Sequence, residues 1–294
     1  MGQVRIPHGG MVVRLATTGT FLERIAAARR AAVAAAAAEV PLAEMRQRVA
    51  AAGRPATRPF LPALRAAAGE RGLAVIAEVK RASPSKGPIR PDLDPLDLAA
   101  AYARGGAAAL SVLTEPAFFL ARPDDLPRAR QASGLPVLRK EFVVDPWQLV
   151  ETALLPADAV LLIVAVLGSE TGAFVEAALG LGIEPLVEVH DAAELAVALA
   201  TPARCIGVNN RNLRTFEVDR DAARRLAPEA ARAGRLVVAE SGIAGPGDLA
   251  GLRDAGVGAV LVGESLLRAG DPGAAVRRLA EAETTVAGVR GDVH

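Results

Sequence analysis

Ala74-Val75-Ile76-Ala77-Glu78-Val79-Lys80 reads as a strand that is apolar except for one carboxylate and a closing ammonium. Side chains alternate across a strand, so Ile76, Glu78 and Lys80 share one face while Val75, Ala77 and Val79 share the other. The purely apolar face suits burial under helices, which sends Glu78 and Lys80 to the opposite side. Seven further short apolar runs follow, at 108–113, 136–138, 159–164, 185–189, 205–208, 236–239 and 259–262. Helical periods separate them at 94–104, 124–132, 146–155, 170–181, 191–199, 219–233 and 246–255, many opening on Asp or Pro as helix starts prefer. Successive runs start 20 to 34 residues apart. That interval holds a helical crossover and is too long for a hairpin, so the strands are parallel.

Eight such units can build an open, doubly wound sheet or a closed barrel. An open sheet gathers its ligand groups at one switch point, whereas a (β/α)8 barrel draws them from the ends of several strands. Here the ends of runs one, three, five, six and seven each carry a polar group. The same parity test groups Leu138 with Lys140, Leu186 with Glu188, Val238 with Glu240, and Gly207 with Asn209 and Arg211. Five strands therefore aim polar side chains at one space, and the fold expected is a single α/β TIM barrel. Its 294 residues exceed the ~250 of one barrel. The surplus is read as a flexible N-terminus at 1–20, a helical extension at 21–65 packed on the barrel at 66–284, and a C-terminal tail at 285–294. Within the extension, 21–38 reads as a helix with Leu22, Ile25 and Val33 near one face, and 53–62, with three prolines, as the connection out of it.

Composition narrows the function. With 51% hydrophobic and only 3% aromatic residues, the core is aliphatic and the chain is not disordered. A net charge of +1 supplies no field for a polyanion, so nucleic acid is not an expected partner. No apolar stretch approaches the ~18 residues of a membrane span, and no secretory signal is expected. The single Cys205 excludes an internal disulfide, fits a reducing cytoplasm and has no soft partner for a metal. Lysine stands only at Lys80, Lys86 and Lys140, the other 31 basic residues being arginine. A chain that uses Arg for solvated charge has kept Lys where a compact, deprotonatable cation is needed, as at Lys80 and Lys140.

Glu78, Glu188, Glu240 and the two lysines could be a structural ion-pair network. Burying so many charges is costly, and an aliphatic core does not require it. The set has the parts for acid–base chemistry: carboxylates raise one another's pKa, lysines lower theirs, and donor and acceptor then coexist near neutral pH. His190 is expected to be a solvated loop residue. Ser241-Gly242-Ile243 and Gly263-Glu264-Ser265 follow runs seven and eight, where barrels offer bare backbone N–H groups to phosphate. Ser83-Pro84-Ser85-Lys86-Gly87 adds hydroxyls, a cation and a rigid turn.

The segments VIAEVKRASPSKG (75–87), ALSVLTEPAFF (109–119), LPVLRKEFVVDP (135–146), ADAVLLIV (157–164), LVEVHD (186–191), IGVNNRNL (206–213), VVAESGI (237–243) and AVLVGESLLR (259–268) together resemble the indole-3-glycerol phosphate synthase family, in order, over all eight strands. The resemblance implies a cofactor-free, metal-free step of tryptophan biosynthesis. In it, 1-(2-carboxyphenylamino)-1-deoxyribulose 5-phosphate closes to indole-3-glycerol phosphate with loss of carbon dioxide and water. It makes Lys140 the general acid, Glu188 the base of the dehydration, and Lys80 an assistant in proton transfer that holds the substrate carboxylate, with Glu78 and Asn209 orienting it. Glu240 and Arg211 complete the polar ring, and Phe119 and Phe142 pack the anthranilate ring. Ser83, Ser241, Gly242, Gly263 and the Glu264 backbone surround the phosphate, while the basic N-terminal segment covers the mouth. A phosphorylated small molecule is the partner implied, for a chain expected to act as a cytoplasmic monomer.

Two stretches depart from the family pattern. Leu120-Ala121-Arg122 stands where Gly-Ser follows one residue after the aromatic pair, and Asn212 replaces an Asp. Both bear on loop geometry rather than on an expected catalytic position. A Schiff-base aldolase using Lys140 as nucleophile, or a catalytically silent phosphate-binding barrel, would carry similar strand ends.

Overall fold

The computed structural model describes residues 3–5, 12–14 and 19–289, with side chains at 19–282. Within the N-terminus expected at 1–20, Gln3–Arg5 pairs antiparallel with Val12–Arg14, and the last helix, Pro272–Val289, runs into the tail expected at 285–294; the rest of both stretches, apart from residues 19 and 20, lies outside the described residues. Eight strands close into a barrel: β1 (Ala74–Val79), β2 (Ala109–Leu113), β3 (Val137–Lys140), β4 (Ala159–Ile163), β5 (Glu184–Val189), β6 (Cys205–Asn209), β7 (Leu236–Glu240) and β8 (Val257–Val262). Each pairs in parallel with its sequence neighbours, and β8 closes on β1 in the register Ala259↔Ala74, Val260↔Val75, Leu261↔Ile76.

The parity read from the sequence is the parity observed. Val75, Ala77, Val79, Val112, Val160, Leu162, Val187, Val208 and Val260 join the layer between barrel and helices. Ile76, Leu138, Leu161, Leu186, Cys205, Val238 and Leu261 fill the barrel interior. Each fully buried aliphatic side chain contributes about 1.5–3 kcal/mol, so a one-residue slip of any strand would expose its outer set and bury its charges.

The extension wraps the barrel. Helix α1 (Phe21–Glu39) starts at a capping box: the Thr20 hydroxyl accepts from Glu23 N at 3.3 Å and Glu23 accepts from Thr20 N at 2.7 Å. Its buried face, Leu22, Ile25, Ala26 and Val33, includes the stripe expected. A second helix that the sequence pattern did not resolve, α2 (Leu42–Ala52), packs on the helix after β3 (Pro146–Leu154) through Met45, Trp147 and Val150. The connection is shorter than 53–62, because α3 (Phe60–Arg71) begins at Phe60 and runs across the boundary expected at 65/66. Phe60, Leu61, Leu64 and Ala67 of α3 join Ala74, Ala109, Cys205, Leu236 and Ala259, the first inward side chains of their strands, and so plug the end opposite the mouth.

One expected helix is absent. Residues 246–255 form only a 3-10 turn, Pro246–Leu249, followed by turns, because Gly247 and Gly251 interrupt the segment and Gly251 sits at φ 74°. Strand β3 runs further than 136–138, which carries Lys140 on the ladder itself rather than on a loop.

Candidate active site

The inward side chains at the C-terminal ends of the strands line a cavity of about 490 Å³. Lys140 lies at its floor, with Nζ 2.9 Å from Glu188 Oε2 and 2.6 Å from Glu240 Oε2. Glu188 and Glu240 are 1% and 2% exposed, so the ammonium is nearly the whole of their solvation. Asn209 Nδ2 donates to the other oxygen, Glu188 Oε1, at 3.2 Å. Lys80 pairs with Glu78 two residues before it, and Tyr102 Oη donates to the Glu78 carbonyl at 3.2 Å.

Glycines make room for these carboxylates. A Cβ on Gly207 would lie 2.2 Å from Glu240 Oε1, and one on Gly263 would lie 2.3 Å from Glu78 Oε1 and 3.0 Å from Lys80 Nζ. Glu240 Oε1 has no hydrogen-bond partner among the described residues.

The electrostatics separate the groups. Burial pushes the Glu240 carboxyl up, Lys140 opposes it, Glu188 and Glu78 add to it, and the pKa reaches about 7. Burial also pushes Glu188 upward, but Lys140, His190 and the hydrogen bonds from Lys140 and Asn209 outweigh it and hold it below the usual carboxylate range. Desolvation pulls Lys140 down, and Glu188, Glu240 and Glu78 overcome it, so the amine is held as an ammonium. The expected lowering of the Lys140 pKa is therefore reversed: its nearest charges are carboxylates, not the other lysine. A carboxyl poised near neutrality and an ammonium stand side by side.

Above the ion pairs the wall is apolar. Phe119 and Phe142 face each other with ring centroids 6.0 Å apart and a 33° interplanar angle, beside Leu113, Leu161 and Ile163. Phe119 is positioned by Glu115, whose buried carboxylate accepts from the backbone N–H groups of Ala117, Phe118 and Phe119 at 2.9, 2.6 and 3.2 Å. At the far side of the cavity lie Ser83, Ser85, Ser241, Gly242, Gly263, Glu264 and Ser265. Ser241 and Gly242 both take positive φ, 64° and 77°. For a serine that is a strained conformation. Helix α1 reaches the rim, where Phe21 packs on Phe118 at 5.3 Å and on Phe216 at 5.0 Å, and Arg29 bridges to Glu141 at 3.2 Å.

The indole-3-glycerol phosphate synthase family profile matches residues 22–279. Indole-3-glycerol phosphate synthase of Aromatoleum aromaticum is 50% identical over 260 residues, 88% of this chain and 98% of its own. That of an Azoarcus species is 50% identical over 261 residues, with the same shares covered. The chain belongs to the indole-3-glycerol phosphate synthase family. As a family member it is a carbon–carbon lyase of the carboxy-lyase class. Among solved structures, a thiamine phosphate pyrophosphorylase from Pyrococcus furiosus aligns with TM-score 0.54 and 18% identity over 74% of this chain and 98% of its own, a likeness of fold alone.

The geometry brings Glu78, Lys80, Lys140, Glu188, Asn209 and Glu240 to one end of the barrel, with Phe119, Phe142, Arg211 and the loop residues around them. Arg211 is less a free member of the ring than expected: its Nη1 donates to the Phe216 carbonyl at 3.1 Å and stiffens the loop after β6. Lys86 is exposed and outside the cavity lining. The two departures from the family pattern are accommodated locally. Asn212 Oδ1 accepts from Arg214 N at 2.8 Å, which an Asp would do equally, and Leu120 takes φ 57° as a left-handed cap.

The expectation of a solvated His190 fails. Its side chain is 11% exposed, with Nδ1 3.0 Å from Glu194 Oε2 and Nε2 3.5 Å from Glu188 Oε1. The signal was present in the sequence, since His190 follows Glu188 by two residues as Lys80 follows Glu78. Glu115 was also missed, although Glu115-Pro116 before two aromatics reads as a helix start. Among the described residues, no group of three or more His, Cys, Asp or Glu side chains could hold a metal ion, and no helix is long and apolar enough to cross a membrane.

Proposed function

We propose that this chain closes 1-(2-carboxyphenylamino)-1-deoxyribulose 5-phosphate to indole-3-glycerol phosphate, as a step of tryptophan biosynthesis, with Lys140 as acid and Glu188 as base. The observation that carries the reading is a buried ammonium shared by two carboxylates beneath an aromatic wall. The aromatic carbon that bears the carboxylate attacks the ketone, and the developing alkoxide takes a proton from Lys140 Nζ. Carbon dioxide then leaves and the ring regains its aromaticity. The new hydroxyl departs as water with a second proton, supplied by Lys80, while Glu188 takes a proton from the neighbouring carbon. Lys80 holds the substrate carboxylate without fixing it too tightly for release, with Glu78 and Asn209 as orienting groups.

Phe119 and Phe142 supply the flat apolar wall that an anthranilate ring fits. The phosphate fits the far side, where Ser83, Ser241, Gly242, Gly263 and the backbone at Glu264 lie. Helix α1 over the rim supports exclusion of water. A Schiff-base route through Lys140 is disfavoured, because an amine held as ammonium is not a nucleophile.

The test is direct: purified protein mixed with the substrate should develop indole fluorescence. Lys140→Ala should lose at least about a thousandfold in kcat with its thermal transition intact. Near wild-type turnover in that variant would defeat the assignment, as would a borohydride-trapped substrate adduct on Lys140. Glu188→Gln should lower kcat more than it raises KM.

A further inference from the structure

Glu188 carries two distinguishable oxygens. Oε2 faces Lys140 and the cavity, while Oε1 is turned to Asn209 Nδ2 at 3.2 Å and His190 Nε2 at 3.5 Å. His190 itself is outside the cavity lining and meets the site at Glu188. Glu194 fixes the ring: its Oε2 accepts from His190 N at 2.8 Å and lies 3.0 Å from Nδ1. Glu194 sits in the first turn of the helix after β5 (Ala192–Leu199), whose N-cap Asp191 accepts from Glu194 N at 2.9 Å. The imidazole is thus held at one nitrogen and aimed with the other.

We propose that His190 is a positioning residue for Glu188: anchored on Glu194, it presents Nε2–H to Glu188 Oε1 and leaves Oε2 to exchange the proton. Donor bookkeeping favours the imidazolium. Both neighbours are carboxylates, which only accept, and a neutral ring has a single N–H to share between them. Nε2 is buried and lacks a hydrogen-bond partner, at the edge of hydrogen-bond reach of Oε1. The charged groups facing the ring are Glu188 from β5, Glu194 from the helix that follows β5, and Glu240 from β7. Burial draws its pKa down, and the Glu194 hydrogen bond with the three carboxylates raises it above the ordinary histidine value. Glu188 in turn faces Lys140, His190, Asn209 and Glu240.

This inference rests on the reading of Glu188 as the base, and the experiment separates the two. kcat and KM would be measured from pH 3.5 to 9 for the wild type, His190→Ala, His190→Gln, Glu194→Gln and Glu188→Gln, with thermal unfolding of each. His190→Ala should lose about tenfold in kcat with little change in KM. Losing the imidazolium should move the acidic limb of the kcat profile up by about one pH unit. His190→Gln, whose amide can reach Oε1 without charge, should recover kcat and keep the shifted limb. Glu194→Gln should move the limb the same way by less.

A wild-type kcat and unmoved limb in His190→Ala, beside an inactive Glu188→Gln, would overturn the positioning role and leave the base intact. Should Glu188→Gln retain turnover, the base reading falls and this inference with it. If His190→Ala does not fold, the limbs of His190→Gln and Glu194→Gln decide, and an unmoved limb in both overturns the proposal.

Discussion

At the scale of single residues, Glu240 couples chemistry to stability. Its carboxyl binds a proton more tightly in the folded protein, with a pKa near 7 against an ordinary 4.5, chiefly because it is buried. A raised carboxyl stabilises fully below its unfolded pKa, and that contribution fades as pH rises through the folded value. Glu188 has the opposite sign, adding stability above its ordinary range and losing it as pH falls, so it is silent from pH 5 upward. Glu240→Gln cannot ionise. The unfolding temperature of the wild type should therefore fall relative to this variant between pH 5 and 8. A constant gap between the two over that range would show that Glu240 does not titrate there.

At the scale of elements, β6 is shaped by what its neighbour needs. Gly207 lies opposite Val238 in the ladder, two pairs before Asn209 opposite Glu240, and leaves the volume that the Glu240 carboxylate occupies. Added bulk meets the far end of a flexible side chain, which can swing away at small cost in packing energy. Gly207→Ala should consequently shift the unfolding temperature by only a few degrees, about 1 kcal/mol, while lowering kcat by about tenfold or more through displacement of Glu240. An unchanged kcat would show that Glu240 tolerates relocation. Helix α1 meets the rim through aromatic contacts, and a Phe21/Phe216 double-mutant cycle on stability should return a coupling of about 0.5–1.5 kcal/mol. No coupling would mean that the rings merely adjoin.

At the scale of the whole molecule, the extension is a strap. It passes from the mouth at α1, down the side at α2, along the opposite rim and into the plug formed by α3. Asp158 is the hub of the rim segment: its carboxylate accepts from Arg58 N at 2.6 Å, Val137 N at 2.8 Å and Arg130 Nη2 at 3.1 Å. Arg54 donates to the Leu181 and Ala157 carbonyls, and Arg58 to those of Arg130 and Leu135. Asp158→Ala strands two amides and a guanidinium and should cost about 3–5 kcal/mol. The sole tryptophan, Trp147, donates from Nε1 to Val40 O at 2.9 Å beneath α2, so its emission reports the strap. In this variant the emission should shift red before the far-ultraviolet circular dichroism falls. Coincident transitions at wild-type temperature would refute the hub.

The sequence by itself determined the barrel and its polar mouth, because strand parity is a local property: once Val75, Ala77 and Val79 must be covered, Glu78 and Lys80 have only one side left. The same parity placed Lys140, Glu188, Asn209 and Glu240 at that mouth without any knowledge of their distances. Only the tertiary structure decided which charge meets which. Lys140 serves two carboxylates from strands roughly 50 and 100 residues away, and that encounter, with the burial around it, fixes the direction in which Lys140, Glu188 and Glu240 shift. The burial of His190 and the path of the strap were decided there too, since both depend on contacts between segments that no local period encodes.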